Sequence, residues 1–147
     1  MLDGKTVCDA AVAVGDELPE LRLPAVTRTT LALFAGASGD HNPVHIDIDF
    51  ARKAGMPDVF AHGMLSVAYL GRLLTGWQPQ SRLRSFNARF VAVTHLGNEV
   101  VCTGRVTAID DRDGERCATV SLSTRNQFGQ TKILGEAVVA IGPGRMA

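Results

Sequence analysis

The sequence predicts an α+β fold in which a long antiparallel β-sheet packs around one buried α-helix. The helix is predicted over residues 62–75, where Arg72 is the only charged residue, because a helix that is apolar on nearly all faces is a buried one. After this segment the apolar pattern changes from helical to alternating, as in strands with one buried and one solvated face. The four predicted strands are residues 83–94, 99–110, 116–126 and 132–141.

The segments before the buried helix are shorter. Residues 12–17 indicate an opening strand and a turn. Residues 18–26 indicate an edge strand or an extended arm, because Pro19 and Pro24 cannot donate hydrogen bonds to a sheet ladder.

Two further helices are predicted between this arm and the buried helix. A helix over residues 28–38 follows Thr27, whose hydroxyl can accept from the free N–H groups of a helix start. Asp47 is an equally good cap for a short helix over residues 48–54, and Gly55 follows its end.

The composition is that of an ordinary soluble globular protein, and we expect one domain over residues 1–147. Fifteen basic residues balance fifteen acidic ones, so no basic excess favours nucleic acid or an anionic membrane as a partner. Cys8, Cys102 and Cys117 are widely spaced, which indicates reduced thiols rather than a disulfide framework or a zinc site. Since no signal peptide or membrane-spanning run is evident, we expect a cytoplasmic protein.

Residues 38–45, Ser-Gly-Asp-His-Asn-Pro-Val-His, form the stretch on which the functional argument depends. Asn42-Pro43 is a turn dipeptide that excludes a helix, so a compact loop can aim Asp40 and His45 at one point. A carboxylate beside an imidazole is suited to moving protons at a reacting carbon or water. From residue types alone, a simple connector turn with local hydrogen bonds is the favoured interpretation.

Gly63 stands near the start of the predicted buried helix. Backbone N–H groups at a helix start lack intrahelical acceptors and lie at the positive end of the helix dipole. Such a position can hold negative charge that develops on a carbonyl oxygen.

Residues 34–45 resemble the hydratase signature of the MaoC-like dehydratases, the (R)-specific enoyl-CoA hydratases of the hot-dog superfamily. Residues 61–65, Ala-His-Gly-Met-Leu, resemble the start of the family's central helix, and Arg89-Phe90 its following strand. The resemblance covers residues 18–141. With this resemblance, a catalytic role of Asp40 and His45 is favoured over a simple connector turn.

The resemblance implies reversible addition of water to a trans-2-enoyl thioester of CoA or acyl carrier protein, giving an (R)-3-hydroxyacyl thioester. Asp40 and His45 would share one water, the Gly63 N–H would meet the thioester oxygen, and no metal or redox cofactor would be needed. Asn42 would hold the loop, and Ser66 would either line the pocket or pack. The sequence leaves open which of the pair is acid and which is base, and which acyl group and carrier are used.

The remaining histidines carry less weight: His41, at the variable position of the signature, is expected to point away, His95 to be solvated in a turn, and His62 to be structural. Four basic residues could contact pantetheine or the CoA phosphates, but arginines on exposed strand faces are usually just solvated, and none of the four is assigned as a CoA ligand. They are Arg84, Arg89, Arg125 and Lys132.

Two alternatives stay within the same fold. A hot-dog thioesterase commonly carries a catalytic Asp or Glu on the central helix, or a different loop constellation. A fatty-acid-synthase type of dehydratase places its acid on that helix, and residues 62–75 contain neither Asp nor Glu. The chain could instead be the catalytic subunit of a heterodimeric 3-hydroxyacyl dehydratase. Because one hot-dog unit exposes a sheet edge and half a substrate tunnel, we expect a homodimer as the simplest assembly.

Overall fold

Residues 12–142, the part of the chain that the computed structural model describes, form an antiparallel sheet packed against a central helix. In chain order the elements are β1 (Leu21–Arg22), α1 (Arg28–Ser38), α2 (Ile48–Lys53), α3 (Gly63–Trp77), β2 (Leu83–Phe90), β3 (Val101–Arg112), β4 (Glu115–Arg125) and β5 (Thr131–Ala140). The strand order is β1-β3-β4-β5-β2, and every neighbouring pair is antiparallel. No helix within residues 12–142 has the length and apolar content needed to cross a bilayer.

The central helix α3 supplies one side of the core. Leu65, Leu70, Leu73 and Leu74 are buried and belong to the same cluster as the inward face of the sheet. Burial of each leucine side chain stabilises the fold by about 1.5–3 kcal/mol. On β4 the inward face consists of Ala118, Val120, Leu122 and Thr124. The predicted buried helix and its covering sheet are therefore confirmed.

The end of α3 differs from the sequence prediction. Gly76 lies inside the helix, which continues to Trp77 and ends at the extended cap residue Gln78. The indole of Trp77 is partly buried against the core, and this packing outweighs the low helix propensity of Gly76. Pro79 then disfavours helical backbone at the residue before it.

The two short helices begin where the sequence predicts. The Thr27 hydroxyl accepts from the Thr30 N–H at 3.1 Å at the start of α1. The Asp47 carboxylate accepts from the Asp49 N–H at 2.9 Å at the start of α2. Gly39 after α1 has a φ of 75°, a left-handed conformation that suits glycine and turns the chain out of the helix.

The N-terminal arm pairs less than predicted. The expected strand at residues 12–17 is reduced to an isolated bridge between Glu17 and Arg105. Of residues 18–26, Leu21–Arg22 forms a short strand at the β3 edge, and the rest is an extended arm along that edge, with the Leu18 and Leu23 N–H groups donating to the Gly104 and Val100 carbonyls. Cys8 lies outside the described residues, while Cys102 and Cys117 are buried free thiols.

Strand β2 ends earlier than its alternating pattern suggests. The ladder with β5 stops at Phe90, and the N–H groups of Val91 and Ala92 both donate to the Lys132 carbonyl, at 2.9 and 3.2 Å. Two donors on one acceptor mark a local irregularity that turns residues 91–94 out of the strand. We call residues 91–94 the edge segment, because they follow the edge strand of the sheet.

Candidate active site

The loop after α1 carries the predicted catalytic pair. The Asp40 carboxylate accepts from the Asn42 N–H, and the Asn42 side chain in turn accepts from the Val44 N–H, each at 3.2 Å. Pro43 then begins a 3₁₀ turn that ends at His45. These local hydrogen bonds fix the loop so that residues five positions apart approach one another. Asn42 therefore holds the loop and does not line the pocket described below.

His45 is held from two directions by Phe60. Its Nδ1 lies 2.7 Å from the Phe60 main-chain oxygen, and the two rings meet edge to face with centroids 5.0 Å apart. A carbonyl oxygen can only accept, so Nδ1 carries the proton. In the neutral ring, Nε2 is then left as a proton acceptor.

A second imidazole completes the cluster. A carboxylate oxygen of Asp40 and one ring nitrogen each of His45 and His62 lie within 4.8 Å of one another. The His62 ring stacks on the His45 ring with centroids 3.9 Å apart and 28° between the planes. Its Nε2 donates to the Asp40 main-chain oxygen at 3.1 Å. Sequence reasoning missed this contact with both members of the pair, because adjacency in the chain does not reveal stacking between distant segments.

The surroundings of His62 disfavour the protonated form of its ring. The side chain is 1% exposed and also meets the edge of the Phe34 ring. Burial lowers the pKa of His62 below its ordinary value, and the neighbouring His45 lowers it further, although the Asp40 hydrogen bond and charge act in the opposite direction.

Two imidazoles and a carboxylate also form a donor set that divalent transition metals accept. The arrangement here does not suit such an ion, because imidazole lone pairs lie in the ring plane and two stacked rings do not direct them at one point. The geometry instead supports proton transfer.

Asp40 opens onto a pocket of about 400 Å³. Gly63 and Ser66 of α3 line the same pocket, as does the edge segment. The Ser66 hydroxyl is buried and has no hydrogen-bond partner among the described residues. Most of the remaining wall is apolar, with Phe60, Met64, Phe90 and Ile133. Three of the residues predicted from the sequence thus share one cavity, with His45 beside them.

Gly63 begins α3 and faces Phe90 across a short gap. A Cβ atom at position 63 would lie 2.5 Å from Cε1 of the Phe90 ring, closer than real contacts allow. Only glycine lets this ring lie against the helix start as it does here.

Lys132 is buried rather than available to a ligand. It is 1% exposed, and its Nζ donates to the Val93 carbonyl and to the Gln130 side chain, each at 2.6 Å. Burial lowers the pKa of its ammonium group. Lys132 is therefore not available to a CoA phosphate, and the residue instead fixes the edge segment.

The other basic candidates lie on the surface. Arg84 forms a two-point ion pair with Glu115, at 2.7 and 2.6 Å, so its charge is already partnered. Arg89 and Arg125 are exposed. His41 and His95 are also exposed, in agreement with the sequence prediction.

Comparison with known families shows to which family the chain belongs. A family model described as "MaoC like domain" matches residues 11–127. The chain belongs to the MaoC-like family. Its solved relatives include the (R)-hydratase of Aeromonas caviae, with a TM-score of 0.79, 28% identity and coverage of 90% of this chain and 99% of that one. The predicted hot-dog fold is confirmed.

Relatives of this MaoC-like chain carry out reactions on acyl thioesters. It is 32% identical over 112 residues to the mitochondrial 3-hydroxyacyl-[acyl-carrier-protein] dehydratase of Arabidopsis thaliana, covering 76% of this chain and 65% of that protein. It is 32% identical over 113 residues to the (R)-specific enoyl-CoA hydratase of A. caviae, covering 76% and 83%.

The relatives also differ greatly in length. Fatty acid synthase subunit beta of Saccharomyces cerevisiae is 29% identical over 140 residues, which are 93% of this chain but 7% of that protein. The chain therefore spans a small part of the yeast subunit, 65% of the plant dehydratase and 83% of the bacterial hydratase.

Proposed function

We propose that this MaoC-like protein is a hydro-lyase that interconverts trans-2-enoyl and (R)-3-hydroxyacyl thioesters. The observation that carries the proposal is the Asp40 carboxylate beside the His45 imidazole, at a mostly apolar pocket that also contains a helix start. The (R)-specific hydratase and dehydratase names of its relatives support the same reaction.

The pair acts as a proton shuttle. The water oxygen forms a bond to C3, one water proton is accepted by the pair, and one proton is delivered to C2. The pair thus ends the hydration in the ionisation state in which it began. His45 Nε2 accepts the water proton, because Nδ1 is committed to the Phe60 carbonyl. Asp40, which lines the pocket, accepts a hydrogen bond from the water and orients it, and the proton held on His45 Nε2 is then delivered to C2, which returns His45 to its neutral form.

The helix start stabilises the intermediate charge. As oxygen attacks C3, negative charge moves through C2 onto the thioester oxygen. Gly63 lines the pocket at the beginning of α3, where N–H groups have no intrahelical acceptor. Its N–H donates to this oxygen, and Ser66 lies one turn further along the same wall.

The substrate is an acyl thioester carried by CoA or acyl carrier protein. The apolar side chains of Met64, Phe90, Val91 and Ile133 suit the hydrocarbon part of an acyl group. A thioesterase is less well supported, because α3 carries no acidic residue that could act on the thioester carbon.

The active protein is a homodimer joined at the β2 edge. Within residues 12–142, β2 pairs with β5 on one side only. Beside this edge the pocket is bordered by exposed apolar side chains: Met64, Phe90 and Val91 are 55%, 56% and 47% exposed. A second copy would cover both the strand edge and this apolar surface. Light scattering is expected to give twice the chain mass, and a monomeric mass would overturn the assembly.

A hydration assay tests the proposed reaction. Loss of the conjugated enoyl absorbance of crotonyl-CoA and of a longer trans-2-enoyl-CoA is followed for the parent, Asp40→Asn and His45→Gln. Both variants are expected to lose about 10²–10⁴-fold in kcat. His41→Gln, which changes an exposed histidine of the same loop, is the matched control and is expected to match the parent.

Product analysis separates the alternatives. An (R)-3-hydroxyacyl product from the parent supports the proposal. Release of free CoA thiol without hydration would identify a thioesterase instead. Equal activity of the parent and both variants would exclude Asp40 and His45 from the chemistry.

A further inference from the structure

His62 contacts both members of the proposed catalytic pair. Its Nε2–H donates to the main-chain oxygen of Asp40, and its ring stacks on that of His45. Among the described residues, no other side chain makes both a hydrogen bond to Asp40 and a ring contact to His45. His62 therefore ties the loop after α1 to the start of α3 at the point where the chemistry is proposed.

The side chain of His62 does not serve its own helix. It occupies the N-cap position of α3 yet makes no capping hydrogen bond there. Residues with a short acceptor, such as Ser, Thr, Asp or Asn, are preferred at such a position. The imidazole instead turns toward the Asp40 loop, so capping does not explain it.

Core packing does not explain the choice of histidine at position 62 either. His62 is 1% exposed, and its Nδ1 has no hydrogen-bond partner among the described residues. Leaving a buried polar atom unpaired is unfavourable, and a phenylalanine would fill a similar volume without that cost. The feature that a phenylalanine could not reproduce is the Nε2–H that reaches Asp40.

We propose that His62 is a positioning residue that fixes the Asp40 backbone with its Nε2–H and the His45 imidazole with its ring. The inference rests on the proposed function, because the pair it positions is the proposed proton shuttle. Small misplacements of reacting groups are enough to lower turnover strongly.

The ionisation of His62 matches this role. The titratable groups that face it are Asp40 from the loop and His45 from the 3₁₀ turn, while α1 contributes the neutral Phe34. Burial holds the pKa of His62 below its ordinary value. A neutral ring keeps a positive charge away from His45, which must accept a proton during hydration.

Two substitutions separate the two contacts. His62→Phe keeps an aromatic ring against His45 but removes the donor to Asp40. His62→Gln keeps a side-chain donor of similar reach but removes the ring. Each variant is expected to lose roughly 10–100-fold in kcat while KM changes by less than about twofold, because His62 acts on the pair and does not line the pocket. His41→Gln, with parental kcat, is the control.

A double variant tests whether His62 acts through Asp40. In the Asp40→Asn background, adding His62→Phe is expected to cause much less than its single effect, because the group that it positions no longer works. Parental kcat in both single variants, or a full additional loss in the double variant, would overturn the inference.

Hydrogen exchange supplies a readout that does not depend on activity. In His62→Phe, amide exchange is expected to become faster in residues 40–47 while the strands stay protected, because the Asp40 carbonyl has lost its donor. Unchanged exchange there, or faster exchange everywhere, would contradict positioning. An inactive parent with this local change would reject the hydratase proposal but retain the role of His62 in holding the loop.

Discussion

The two sides of the pocket are built differently. On the loop side, Asp40, His45 and His62 are held by hydrogen bonds and ring contacts. On the edge side, Phe90 at the end of the β2 ladder and Val91 and Val93 of the edge segment present exposed apolar side chains. The groups proposed to move protons are thus fixed, while the surface proposed to meet the acyl group and a second copy is open.

A hydrogen bond from the buried Lys132 fixes the backbone of the edge segment. The Lys132 ammonium donates to the Val93 carbonyl, and the neighbouring Thr94 carbonyl accepts from the Ala61 N–H at 2.9 Å. Ala61 directly precedes His62. The two sides are therefore connected through the backbone of the edge segment.

The largest expected effect on the fold comes from Lys132. Lys132→Ala is expected to lower the free energy of unfolding by about 3 kcal/mol, because it leaves a cavity and an unpaired Val93 carbonyl. Lys132→Met, which retains most of the volume and removes a buried charge, is expected to cost about 1 kcal/mol. Urea unfolding measures both values.

The exposed Arg125 on the adjacent strand provides the control for Lys132. Arg125→Ala is expected to change the free energy of unfolding by less than about 0.5 kcal/mol. A Lys132→Ala variant as stable as this control would show that the edge segment does not depend on the lysine.

A smaller effect is expected where the two sides touch, at Gly63 and Phe90. Gly63→Ala is expected to cost about 1 kcal/mol, because its Cβ would displace the exposed Phe90 ring. In the Phe90→Ala background the same change is expected to be neutral or stabilising, since alanine is the better helix former. A double-mutant cycle of unfolding free energies measures this difference. The same sign in both backgrounds would contradict the contact.

Much of the loop side could be predicted from the sequence, because its signals are local. Thr27 and Asp47 mark helix starts through short-range hydrogen bonds, and Asn42-Pro43 defines the turn that brings Asp40 toward His45. Such interactions span a few residues, so the order of residue types contains them.

The edge side and the role of His62 could not be predicted in this way. The pattern after Phe90 continues to alternate, yet a shared acceptor on Lys132 ends the ladder there. Lysine is normally solvated, and no local signal indicates that this one is buried. The stacking of His62 on His45 joins segments that are distant in the chain, and only the fold places them together.

The smallest expected effect is a dependence of stability on pH that arises from the loop side. Because the pKa of folded His62 lies below its ordinary 6.5, the unfolded chain binds a proton in a range where the folded chain does not. Stability from this residue is therefore lost as pH falls below about 6.5, until the folded pKa is reached. The free energy of unfolding of the parent should thus fall more between about pH 7.5 and about pH 5.5 than that of His62→Phe. Urea titrations at both values measure the difference, and equal losses in the two proteins would contradict the lowered pKa of His62.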